Sequence, residues 1–64
     1  MKVRYDKEVD VLYFSFADKK IKESHEDKPG IIIDYDKDGS IVGIEVLDAS
    51  KKMKNPSKVE YELA

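Results

Sequence analysis

The stretch from Gly30 to Asp48 constrains this chain more than any other. It runs Gly30-Ile31-Ile32-Ile33-Asp34-Tyr35, then Asp36-Lys37-Asp38-Gly39-Ser40, then Ile41-Val42-Gly43-Ile44-Glu45-Val46-Leu47-Asp48. Two apolar, β-branched runs flank a polar turn that contains a glycine, the pattern of a β-hairpin. Branched side chains are stiff at χ1 and pack well on a pleated surface, so both runs favour strands over helix. The spacing predicts a hairpin over residues 31–47, with its turn within residues 36–40. Ile31, Ile33 and Tyr35 share one face, Val42, Ile44 and Val46 share a face of the returning strand, and Ile32 points the other way. The residues thus specify a small antiparallel sheet; they do not specify a biochemical activity.

The same hairpin carries the one formal motif of the chain. Asp34, Asp36, Asp38, Gly39 and Glu45 match D-x-[DN]-x-[DN]-G-x5-E, the spacing of an EF-hand calcium loop. Such a loop needs a helix on each side, and here both flanks are β-branched runs. Val42 also occupies the ninth loop position, where an oxygen or a bridging water is required. On a strand advancing about 3.3 Å per residue, Glu45 lies well away from the turn. A hairpin turn with solvated aspartates is the simpler reading, with a divalent-cation module on the Asp34–Asp38 turn as its alternative.

Elsewhere the pattern is of short strands and turns. Lys2-Val3-Arg4-Tyr5 alternates, with Val3 and Tyr5 on one face, and predicts a first strand. Asp6-Lys7-Glu8 is a turn, with Asp6 suited to an Asx-turn. Val11 to Phe16 is a second strand, apolar on both faces, as a central strand covered on two sides would be. Asp18-Lys19-Lys20 ends it, and Ile21 to Glu26 alternates weakly as a third strand. Asp27-Lys28-Pro29-Gly30 is a turn, in which Pro29 and Gly30 supply fixed and permissive φ values. After the hairpin, Asp48 or Ser50 can N-cap a short helix over residues 51–54, which Asn55-Pro56 ends. Beyond it Val59, Tyr61 and Leu63 alternate as an edge strand does, while Ser57 with Glu60 makes a capping-box pattern. The edge strand is preferred. The expected fold is therefore α+β and mostly β: a small antiparallel meander sheet, one short C-terminal helix and a final edge strand.

The chain of 64 residues is expected to form one domain, residues 1–64, close to the lower size limit for independent folding. It has no cysteine, so no disulfide or thiolate metal site supports it, and one histidine cannot make a nitrogen-rich site. Charged residues make up 41% of it, yet the net charge is −2, which gives no electrostatic case for nucleic acid or membrane. Residues 1–48 carry a net −4 and residues 49–64 a net +2. With no signal-type or spanning apolar run, a cytoplasmic location is expected. Strands apolar on both faces, with one short helix to cover them, predict self-association as a homodimer.

Two blocks carry a family resemblance. They are Tyr5-Asp6-x-Glu8-x-Asp10-x-Leu12-Tyr13 and the run from Gly30 through Ile41-Val42-Gly43-Ile44-Glu45 to Asp48-Ala49-Ser50. Together they resemble domain-of-unknown-function family twenty-two eighty-three, over about residues 3–52. The resemblance implies a small, mostly β prokaryotic protein whose gene often lies beside one for a protein resembling RelE-type ribonuclease toxins. It therefore implies an antitoxin-like or partner-binding role, and it carries over no catalytic residue, metal ligand or cofactor.

Three sets of side chains remain to be weighed. Asp6, Glu8 and Asp10, spaced by two, would share one face of an extended strand, and with Asp34, Asp36 and Asp38 could form an anionic patch. Turn chemistry and edge protection explain them more simply. Paired carboxylates also raise acid–base catalysis as a third function, but that needs a cleft with one carboxyl in an apolar wall. His25, among Glu23, Glu26 and Asp27, reads as a surface histidine. Lys51, Lys52, Lys54 and Lys58 lack interleaved aromatics and read as solvated charges near a helix end. The expectation is a non-enzymatic interaction module, binding itself or a small protein partner.

Overall fold

A computed structural model describes all residues, Met1–Ala64. Its elements are β1 (Lys2–Asp6), β2 (Val11–Ser15), β3 (Glu23–Lys28), β4 (Ile31–Tyr35), β5 (Ile41–Leu47) and α1 (Ala49–Lys52). All five strands form one antiparallel sheet in the order β1-β2-β5-β4-β3. The fold is mostly β with one short helix, as the alternation requires. The order departs from a simple meander at one connection. Residues 16–22 carry the chain from β2, inside the sheet, to β3 at the far edge, so β2 to β5 form a Greek key.

The organising hairpin forms where the β-branched runs place it, with residues 36–40 between its strands. Asp36 closes the turn. Its Oδ1 accepts hydrogen bonds from the backbone N–H of Asp38 (2.9 Å) and of Ser40 (3.0 Å), the Asx geometry short acidic side chains favour. Gly39 takes a φ of +81°, and Gly30, after Pro29, takes the same value in the β3–β4 turn. That conformation costs an L side chain energy through its Cβ.

Cross-strand partners share a face, so the register defines two surfaces. One carries Val3 and Tyr5 of β1, Leu12 and Phe14 of β2, Val46 and Ile44 of β5, and Ile31 and Ile33 of β4. The helix lies on this apolar face. Leu12, Val46 and Ala49 form the buried cluster, with Val3, Tyr5, Phe14, Ile31, Ile44 and Met53 packed around it. The opposite face carries Arg4, Tyr13, Glu45, Asp34 and Ser24, joined by Val11, Ile32 and Leu47. Both faces thus have apolar groups, as the sequence of β2 indicates.

Three expectations are corrected. The helix occupies residues 49–52, earlier than residues 51–54, because Asp48 turns the chain sharply in the left-handed region (φ +51°) immediately after β5. The third strand lies at Glu23–Lys28, starting later than Ile21, and every residue of it is exposed. The segment after Ser57 is neither strand nor helix. It runs exposed and off the sheet, and of its backbone N–H groups only that of Lys58 bonds within a turn, to the Asn55 carbonyl (3.1 Å).

Candidate functional site

Two acidic arrangements emerge, and neither is the one the motif spacing describes. The first joins the turn after β1 to the start of α1. Asp10 sits at φ +57°, a left-handed conformation that aspartate tolerates better than most residues. Its Oδ1 accepts the Tyr5 hydroxyl (2.6 Å) and the Ser50 backbone N–H (3.0 Å), and its Oδ2 accepts the Ser50 hydroxyl (2.6 Å). The Asp10 carbonyl also accepts the Ala49 N–H (3.0 Å). The helix is therefore capped by a residue 40 positions away. Asp48, at the N-cap position, makes no side-chain cap bond. Hydrogen bonds from Ser50 and then Tyr5 hold the Asp10 carboxyl below the usual range, while the bond to Asp10 raises Tyr5.

The second arrangement lies on the opposite face of the sheet. Asp34 pairs across the ladder with Gly43, and Glu45 is two residues further along β5, so the two carboxyls meet diagonally. Asp34 is buried and accepts the Ser24 hydroxyl at 2.6 Å. Glu45 is raised to about 7, first by burial, then by its hydrogen bond to Asp34 and by the charge of Asp34. Glu45 therefore holds its proton to near neutral pH, facing the Asp34 carboxyl. Gly43 gives it room: a Cβ there would stand 2.7 Å from the Phe14 carbonyl oxygen and 3.7 Å from Asp34 Oδ2. Tyr13, Ser15, Lys19 and Ile21 help to wall a hollow of about 180 Å³ over these groups.

The EF-hand spacing is thus dispersed. Asp34 and Glu45, its first and last ligands, do meet, but Asp36 turns its Oδ1 onto two backbone amides and its Oδ2 toward Lys19 Nζ (3.8 Å). Bonds from Ser40 and Asp38 hold the Asp36 carboxyl low, helped by Lys19. Asp38 is exposed, and no three acidic or imidazole side chains are grouped to hold a metal ion. Nor do Asp6, Glu8 and Asp10 share a strand face, because the strand ends at Asp6. Asp6 Oδ1 accepts the Glu8 N–H (3.0 Å), Glu8 is exposed, and Asp10 caps the helix. His25 is exposed, with Nε2 3.0 Å from Glu23 Oε2 and its ring edge-on to Tyr35 at 5.6 Å.

A carboxyl titrating near 7 suits proton transfer at neutral pH. The hollow above it, however, is smaller than the roughly 300–1,000 Å³ typical of ligand sites. Size, rather than chemistry, argues against a substrate there. The carboxyl pair escaped the sequence analysis because hairpin register, not sequence spacing, makes Asp34 and Glu45 neighbours. Their place on the same face of paired strands, at an even position of β4 and an odd one of β5, was the available signal. The Asp10 cap was equally invisible locally, although Tyr5, Asp10 and Ser50 all stand in the blocks that carry the resemblance.

A small open-sheet domain with one capping helix is the class these features define. The chain belongs to the family described as protein of unknown function (DUF2283), whose model matches residues 2–50. That span runs from the start of β1 to the Ser50 that binds Asp10. No curated protein and no solved structure matches the chain.

Proposed function

We propose that this chain is a non-enzymatic protein-interaction module that works through the apolar face of its sheet. One observation carries this: the helix covers only part of that face. The buried hydrophobic residues are Val11, Leu12, Val42, Val46 and Ala49, and no large side chain is fully buried. Phe14, Ile31, Ile33 and Ile44 stay half-exposed on the face, and Phe16 and Ile41 are 45% and 47% exposed beside it. Covering such surface at about 25 cal/mol per Å² would add stability that so small a core lacks.

A second copy of the chain or a small protein partner fits this surface; under the antitoxin-like reading the partner is a RelE-type toxin-like protein. The absence of cysteine suits a reducing compartment, and a cytoplasmic location belongs to the same proposal. No helix is long and apolar enough to cross a membrane. Sedimentation equilibrium at micromolar concentration provides the test, with Ile33→Lys as the probe because Ile33 lies on the face outside the packed cluster. The native chain is expected to associate, with itself or with the added partner, and the variant to stay folded and lose that association. A native chain that is monomeric and binds no partner would refute the proposal.

A further inference from the structure

The sheet has two open edges, β1 and β3, and one unpaired segment, residues 58–64. In that segment Val59, Tyr61 and Leu63 are 54%, 82% and 86% exposed, while Glu60 and Glu62 alternate with them. Alternation of this kind marks a strand with one apolar and one charged face. Its partner can be chosen by charge. β3 presents Glu23, Glu26 and Asp27, which would meet the two glutamates with like charge. β1 presents Lys2 and Arg4 on one face and Val3 and Tyr5 on the other.

Laid antiparallel on β1, the segment has a register that satisfies every position. Glu62 falls opposite Lys2, Glu60 opposite Arg4, and Lys58 opposite Asp6. On the other face Tyr61 meets Val3 and Val59 meets Tyr5, so the aromatic and aliphatic groups extend the apolar face. A shift by one residue places the acidic side chains among the apolar ones and loses both sets. Three opposite-charge pairs and two apolar pairs in one register are a specific complementarity. In a single copy both of its halves stand unpaired at once: β1 bonds only to β2, and the segment bonds to no strand.

We propose that the open edge of β1 takes residues 58–62 of a second copy of this chain as a sixth antiparallel strand, the two copies exchanging these segments reciprocally. This deepens the interaction reading and rests on it, by naming the partner and the edge. Reciprocal exchange closes about a two-fold axis, so it ends at the dimer and leaves neither β1 edge free. It also places Tyr61 and Val59 of each copy beside Val3 and Tyr5 of the other, at the margin of the half-covered face.

The lack of cysteine permits a direct test. Chains carrying Val3→Cys and chains carrying Tyr61→Cys are mixed in a glutathione redox buffer. Opposed strand residues lie within disulfide reach, so a covalent heterodimer should form. Substituting Glu62→Cys for Tyr61→Cys, which points to the other face, should abolish it. Sedimentation equilibrium gives the second readout. Glu60→Lys/Glu62→Lys and Lys2→Glu/Arg4→Glu should each weaken the dimer at least tenfold, and an equimolar mixture of the two should restore it. Circular dichroism confirms that each variant is folded. A double variant that closes its disulfide within one chain would overturn the proposal in favour of pairing in cis. So would a chain lacking residues 58–64 that dimerises as the full chain does; that outcome leaves the apolar-face reading standing.

Discussion

At the scale of single residues, Asp10 does what no neighbour could do for it. One carboxylate receives Tyr5 from β1 and both donors of Ser50 from α1, while its own left-handed backbone turns the chain into β2. Asp10→Ala removes three hydrogen bonds and leaves the Ser50 N–H without its cap. Thermal melts should show a fall larger than the roughly 4–8 °C that one such bond costs a domain of this size. Ser50→Ala should fall less, and the double variant should be less than additive, since the two residues share their bonds. An Asp10→Ala chain that melts with the native one would sink this account. Gly43 is constrained by space rather than by φ. Gly43→Ala would drive a methyl against the Phe14 carbonyl, at 2.7 Å, and should destabilise by about 1–3 kcal/mol in urea titrations.

At the scale of elements, legibility followed how local the determining physics was. The β4–β5 hairpin is written in adjacent residues, branched runs around an Asx turn, and it stands where the spacing puts it. β3 was located only approximately, because Glu23–Lys28 is polar on both faces and exposed throughout; pairing with β4, not its own side chains, makes it a strand. Helix α1 was displaced for the same reason in reverse. Its cap comes from Asp10, and no local propensity can announce an acceptor 40 residues away. The final segment shows period two without a ladder, and periodicity alone does not supply the edge a strand needs. The hairpin turn also bears on calcium. With Asp36 engaged by Ser40, Asp38 and Lys19, millimolar calcium and chelator should give the same melting temperature. A rise in calcium would mean preferential binding to the native state and would contradict the geometry.

For the whole molecule, pH reports the balance between the two acidic arrangements. Glu45 is raised from 4.5 to about 7, so the folded chain holds a proton the unfolded chain releases between those values. Its contribution is fully present below about pH 4.5 and is lost as pH rises through about 7. Asp10 and Asp36 are lowered from 3.8, so their contribution is present above that value and fades in more acidic solution. The melting temperature should therefore peak in mildly acidic buffer and decline as pH rises through about 7. Glu45→Gln, which keeps a donor for Asp34 without a second charge, should flatten the alkaline decline and leave the acid limb in place. An unchanged alkaline limb would show that Glu45 does not lose its proton in that range.

The Greek-key connection governs the time the chain needs to reach this state. The β1–β2 and β4–β5 hairpins each close within a few residues, but β2 pairs with β5 only after the whole of residues 16–40 has been looped out. Closing that loop costs entropy before any contact rewards it, so the β2–β5 ladder should set the folding barrier. The Asp10–Ser50 bonds lie beyond the end of that ladder, past the Val11–Leu47 pair, and should form after the barrier is crossed. Stopped-flow measurements on Ser50→Ala should then show faster unfolding with refolding nearly unchanged, whereas Val46→Ala, inside the ladder, should slow refolding. Tyr5, Asp10 and Ser50 would then act as a latch that governs how long a folded molecule lasts, not how quickly one is made.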